Sequence, residues 1–182
     1  MASINVLTIN EEPKEKRDLV KIVDNAKSYF PSETWDDIYY IGKLILDHDV
    51  KITLSEDCLG AFLFEKLISR IKRIRDADDL MNVLLAVTPD PIVAQYHSFN
   101  GKSFVRTVYL VHDYVAENAG VVSFFKINDR SSSKVVAHGL GHNKGLRHHA
   151  VPIDLMHSEL LRLQVLQVEG FCRVCLRKLA QD

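Results

Sequence analysis

The sequence predicts a single α/β (α+β) domain in which a β-sheet is covered by helices. Three observations carry this. An alternating, β-branched run at Ser3 to Ile9 reads as a strand, and the nearly continuous apolar run Met81 to Val87 as a buried one. Segments with helical periodicity and one apolar face lie between and around them. The 182 residues, 47% hydrophobic and 26% charged, suit one globular domain with a sizeable core.

The elements follow in order. Ser3 to Ile9 alternates and opens the sheet. A helical pattern starts at Pro13, runs through Leu19, Ile22, Val23 and Ala26, and ends before Pro31. Residues 35–54 allow strands at Tyr39 to Ile41 and Lys51 to Leu54 around a short helix at Lys43 to Leu46. Ser55 is placed as an N-cap with Glu56 and Asp57 in the first turn. The helix it starts reaches about Arg75, with Leu59, Phe62, Leu63, Leu67, Ile71 and Ile74 on one face. Its basic end (Arg70, Lys72, Arg73, Arg75) is a solvated last turn favoured by the helix dipole. Met81 to Val87 is a buried strand closed by the Pro89-Asp90-Pro91 turn. Phe104 to Val111 and Gly120 to Ile127 are two more strands. Ser131 to Ser133 leads into a further helix, Glu159 to Val168 reads as helical, and Phe171 to Leu179 forms a last helix or turn. The expected architecture is a sheet backed by two N-terminal helices, with the later helix beneath it.

That later helix carries the chemistry. His138 and His142 stand one helical turn apart and share a face. Gly145 can end the helix in a left-handed conformation and turn the chain back, so that His148 meets the same point. Three neutral imidazoles converging from one side suit a zinc ion with its fourth position open. Copper, nickel and iron also accept such a set. The plain alternative is a histidine-rich amphipathic helix without metal. Near the C-terminus, Cys172 and Cys175 form a CxxC, which reads as zinc ligands, with a redox pair or two buried thiols as rivals. Cys58 is expected to be a buried core thiol.

The spacing from His138 to His148 is that of the metzincin pattern H-E-x-x-H-x-x-G-x-x-H, with Gly139 where the glutamate stands. Downstream residues resemble one branch, the archaemetzincins. In that family a Cys follows the third His, another comes five residues later, a Met two beyond it, and a CxxC lies near the C-terminus. Here the same register holds His149, Asp154 and Met156, then Cys172 and Cys175. Upstream, Asn82 to Asp90 and Ala119 to Ile127 resemble the family's strand ending in Thr-x-Asp and its segment before the active-site helix. The resemblance covers roughly the C-terminal 100 residues. It departs at Gly139, His149 and Asp154.

What the resemblance implies is specific. The fold would be a metzincin-like mixed twisted sheet with backing helices: residues 1–129 for the sheet and its helices, 130–182 for the motif helix and a C-terminal subdomain. Zinc would be the cofactor, as one or two ions. His138, His142 and His148 would form the first site and His149, Asp154, Cys172 and Cys175 the second, although Asp154 could instead cap a helix near Ser158. Met156 would be the hydrophobic floor under the first site. The glutamate missing at Gly139 is the general base, and losing a positioned base typically costs about 10² to 10⁴-fold. The chain is therefore expected to be a zinc metallopeptidase scaffold of archaeal type, impaired or inactive in hydrolysis. The alternatives are an active hydrolase using another base and a non-catalytic, zinc-stabilised peptide-binding or regulatory domain. Peptide would pair along strand 120–127.

A glycine inside a helix costs about 1 kcal/mol relative to alanine, so Gly139 is read as leaving room for a ligand or another chain segment near the metal. Asp113, Glu117 and Asp129 are the carboxylates that could stand in for the base, and are read instead as surface groups; His157, which could support a ligand, is read as exposed, and His48, His97 and His112 as structural or surface residues. A net charge of −1 gives no electrostatic reason to expect nucleic acid or a membrane as partner. Three cysteines, no export signal and no long apolar run lead to the expectation of a cytoplasmic protein.

Overall fold

The computed structural model describes residues 2–11, 18–151, 154–158, 160 and 168–181. A five-stranded sheet forms its centre, in the order β2-β1-β5-β9-β8. Its strands are β1 (Ala2–Ile9), β2 (Trp35–Leu44), β5 (Val83–Thr88), β8 (Asp113–Val115) and β9 (Ala119–Ser123). Pairing is parallel from β2 through β9, and β8 closes one edge antiparallel. A second sheet, β3-β4-β6-β7, combines β3 (Val50–Leu54), β4 (Asp57–Leu63), β6 (Ile92–Phe99) and β7 (Phe104–Val111).

The central strands are apolar on both faces because both are covered. In β5, Val83, Leu85 and Val87 face one cluster, with α1 (Leu19–Lys27) and α3 (Asp129–Asn143). Leu84 and Ala86 face the other, with Leu67, Ile68 and Ile71 of α2 (Phe64–Ala77). The two N-terminal helices thus lie on opposite faces of the sheet instead of backing it together, and α1 shares its face with α3. The last helix, α4 (Arg173–Leu179), buries Cys175 and Leu179 in that same cluster.

The sheet overrides several local expectations. Residues 57–63 form strand β4, not the first turns of a helix. Ser55 takes φ 55° and makes a turn with Glu56 between β3 and β4, where Leu54 pairs with Asp57. Gly60 is needed in that strand, because a Cβ there would lie 2.3 Å from His48 Nδ1. Helix α2 starts only after Leu63, whose N–H donates to Asp49 Oδ2 at 3.1 Å. No helix forms at 43–46: β2 runs on to Leu44, and Gly42, at φ 141°, absorbs a bulge opposite Val6 and Leu7. Cys58 is exposed, since β4 places it on the open side of the hairpin.

Strand β9 is shorter than expected, ending at Ser123 before a turn in which Ile127 N–H reaches Phe124 O. It pairs with β5 on one side and β8 on the other, so it has no free edge for strand addition. The sheet's two edge strands are β8, on that side, and β2. The start of the expected Pro13 helix and nearly all of the expected 159–168 helix fall outside the described residues. Within them, α1 begins at Leu19, with Asp18 accepting from Lys21 N–H.

Candidate metal centre

Helix α3 is placed by its ends. Asn128 Oδ1 accepts the Ser131 N–H at 2.9 Å and caps the start. At the other end, Gly145 takes φ 73°. Its N–H donates to His142 O at 3.0 Å, and Leu146 N–H donates to Gly141 O at 3.0 Å. This is a Schellman closure, and it requires the left-handed glycine. Buried Leu146 anchors the turn, and the chain then doubles back to His148.

The predicted convergence is present. His148 Nε2 lies 2.9 Å from His138 Nε2 and 3.1 Å from His142 Nε2. Ligand nitrogens about 2.0–2.1 Å from a tetrahedral zinc stand roughly 3.3 Å apart, close to this spacing. The tautomers fit too. His142 Nδ1 lies 3.0 Å from Leu146 O, and a carbonyl only accepts, so Nδ1 carries the hydrogen and Nε2 presents a lone pair. Burial, then the neighbouring His138, holds the His142 pKa below its ordinary value, and burial with His138 and His142 does the same for His148. Both are held toward the neutral form that ligates metal. Exposure rises from buried His138 through His142 to exposed His148, so the centre opens to solvent on one side.

The structure gives Gly139 a reason. A Cβ at this position would lie 2.9 Å from Asp113 Oδ2 and 2.9 Å from Val115 Cγ2. Asp113 is not a surface carboxylate: its side chain is 2% exposed, and Oδ2 is 2.9 Å from His138 Nδ1. Glu117 and Asp129 are exposed, as expected. Asn143 Nδ2 donates to Ala116 O at 2.6 Å and Glu117 O at 3.1 Å, tying the end of α3 to the β8–β9 turn. Met156 is fully buried, and a Cβ at Gly141 would stand 2.9 Å from its Sδ, so this second helical glycine admits the methionine against the motif helix.

The second group also assembles. One ligand atom each from His149, Asp154, Cys172 and Cys175 lie within 4.8 Å of one another. His149 Nε2 is 2.8 Å from Asp154 Oδ2, 3.3 Å from Cys175 Sγ and 3.9 Å from Cys172 Sγ. Two sulfurs, a nitrogen and a carboxylate oxygen are a zinc-type donor set. The helix near Ser158 that Asp154 could cap lies mostly outside the described residues. Its Oδ1 accepts Met156 N–H at 2.6 Å and its Oδ2 accepts Cys172 N–H at 3.0 Å. Burial pushes the Asp154 carboxyl up, but the hydrogen bonds from Cys172 and Met156 outweigh it and hold the pKa below the usual carboxylate range. Burial, followed by the Asp154 carboxylate, pushes the Cys175 thiol up, so in the absence of a cation it is protonated. A bound cation reverses that preference.

His157 is half-buried instead of exposed, with Nδ1 shielded and without a hydrogen-bond partner among the described residues. His48 is structural, bonding Asp90 Oδ2 at 2.9 Å. Sequence reasoning weighed Asp113 but placed it at the surface; β8 delivers it to His138 from 25 residues upstream.

The site thus lies where a mixed sheet with an antiparallel edge adjoins a helix carrying two of three converging histidines. No sequence-family model and no curated protein matches the chain. Solved structures do. Archaemetzincin from Methanopyrus kandleri superposes with a TM-score of 0.62 at 17% identity, over 99% of this chain and 94% of that one. The archaemetzincin of Archaeoglobus fulgidus gives 0.58 at 17%, and a zinc-dependent peptidase from Methanocorpusculum labreanum 0.58 at 15%, each over 97% of this chain and 99% of theirs. The chain has the archaemetzincin fold.

Proposed function

We propose that this protein is a zinc-binding scaffold of the archaemetzincin type, impaired or inactive in peptide hydrolysis. The observation that carries the reading is the set of three facing Nε2 atoms beside Gly139, which offers no carboxylate where the family's general base stands. His138, His142 and His148 would hold the first zinc, and His149, Asp154, Cys172 and Cys175 the second. Zinc in the first site would supply Lewis acidity. The chain's own residues then hold the imidazoles neutral and oriented, while nothing at position 139 moves a proton. Met156 would form the packed floor beneath the helix.

A second reading, a zinc-stabilised peptide-binding domain, draws support from the edge strand Asp113–Val115, which borders the metal centre and pairs with no second strand among the described residues. Free cysteines fit a reducing compartment such as the cytoplasm. No helix among the described residues is long and apolar enough to cross a membrane.

The test is zinc per chain, by elemental analysis of untagged protein, alongside hydrolysis of an unstructured peptide. Two zincs in the native chain, one in His142→Ala, and hydrolysis at the background level of His142→Ala are expected. Chelator-sensitive cleavage at ordinary protease rates, lost in His142→Ala, would show that another group supplies the base. Equal zinc in both chains would remove the three-histidine site altogether.

A further inference from the structure

One buried carboxylate remains without a role. Asp113 lies on a three-residue edge strand whose backbone pairs with Val122. Its side chain is almost fully buried. Oδ2 meets His138 Nδ1, while Oδ1 is shielded and has no hydrogen-bond partner among the described residues. Burying a carboxylate with a single partner is unfavourable, and strand pairing requires no acid there. The space it fills is set by Gly139, because a Cβ at 139 would press on both Asp113 Oδ2 and Val115 Cγ2. The helix thus gives up a side chain beside the first histidine, and a carboxylate from the sheet edge enters against that same histidine.

We propose that Asp113 is the positioning residue of the three-histidine centre: it holds His138 with Nδ1–H toward the carboxylate and Nε2 toward the cation, and Gly139 is the gap that admits it. The proposal rests on the reading that the three histidines hold a metal ion. A carboxylate at Nδ1 fixes the ring's tautomer and orientation and raises its strength as a ligand. His142 has only a neutral carbonyl in the equivalent place, so His138 is the more strongly supported of the two. Asp113 engages the ring edge that faces away from the cation. It therefore orients a ligand and does not occupy the place of the missing base.

The experiment is a cobalt(II) titration of the full chain, read by visible absorption and by competition with a chelator. The native chain is compared with His142→Ala, Asp113→Asn and Asp113→Ala. Cobalt lost in His142→Ala identifies the three-histidine site. Asp113→Ala is expected to weaken that site about 10- to 100-fold and to shift its absorption bands. Asp113→Asn keeps a carbonyl acceptor for Nδ1–H but not the charge, so it falls between. Being isosteric, it reports even if the alanine variant folds poorly. If both variants bind cobalt as tightly as the native chain, with the same spectrum, Asp113 is not a positioning residue. If His142→Ala loses no cobalt, the underlying metal reading fails, a separate and distinguishable result.

Discussion

Replacing Gly139 with alanine tests the packing argument by the sign of its effect. In an ordinary helix interior this change stabilises by about 1 kcal/mol. Here the new methyl would lie 2.9 Å from Asp113 Oδ2 and 2.9 Å from Val115 Cγ2, well inside van der Waals contact. Neither neighbour yields freely, since the carboxylate is held by His138 and Val115 is buried. Overpacking of this kind costs about 1–3 kcal/mol. The difference leaves a net destabilisation of about 1 kcal/mol, a fall in Tm of roughly 2–4 °C for a domain of this size. Circular dichroism melts in chelator isolate the effect from metal binding. The cycle with Asp113→Ala adds a second reading, because removing the carboxylate removes one of the two clashes. The double variant should therefore lose less than the sum of the single ones, by at least about 0.5 kcal/mol. A rise in Tm for Gly139→Ala, or an additive cycle, refutes the reasoning.

Other perturbations have equally definite outcomes. Gly145→Ala forces a side chain into φ 73°, so it should cost about 1–2 kcal/mol and, by moving the Leu146 carbonyl away from His142 Nδ1, weaken zinc binding in chelator competition. Cys175→Ser should reduce zinc from two ions to one while leaving the cobalt spectrum of the three-histidine site in place. If zinc is present at a thousand times its Kd, losing it removes about 4 kcal/mol, or roughly 8–16 °C of Tm. The pH dependence follows from His142 and His148, whose pKa values are lowered from 6.5 in the fold. As pH falls below about 7, the unfolded chain takes up protons that the folded chain does not, so stability declines through 6.5 toward the folded values. Metal-free melts between pH 7.5 and 5 should show that decline, and bound zinc should dissociate over the same range.

The three-histidine cradle was legible because helical periodicity and a left-handed glycine are local rules. The CxxC was legible as a ligand pair on its own, whereas His149 and Asp154 were reached only through the register of the family resemblance. Asp113 was not legible, since it reaches His138 only through the pairing of β8 with β9, and a three-residue strand leaves no periodicity to read. The helix misplaced over 57–63 had a true apolar face, but Leu59 and Phe62 serve a strand equally well, and only contact with His48 explains Gly60. Strand β6 went unread although a signal was present. Asn100-Gly101 is a hairpin dipeptide, and Asn100 Oδ1 accepts from the Lys102 and Ser103 N–H groups in the turn joining β6 to β7.

His148 and His149 are adjacent in the chain, yet each belongs to a different cluster. The Asp154 carboxylate adds a second link. It fixes the turn of Met156, which packs on the motif helix at Gly141, and also the backbone of Cys172. A cation in either cluster therefore restricts the same short stretch of backbone that the other cluster needs. Such sharing makes loading reciprocal: whatever factor the first ion adds to the affinity of the second, the second returns to the first. Each centre would then still load without the other, but more weakly, so that chelating the exposed one would also loosen the buried one.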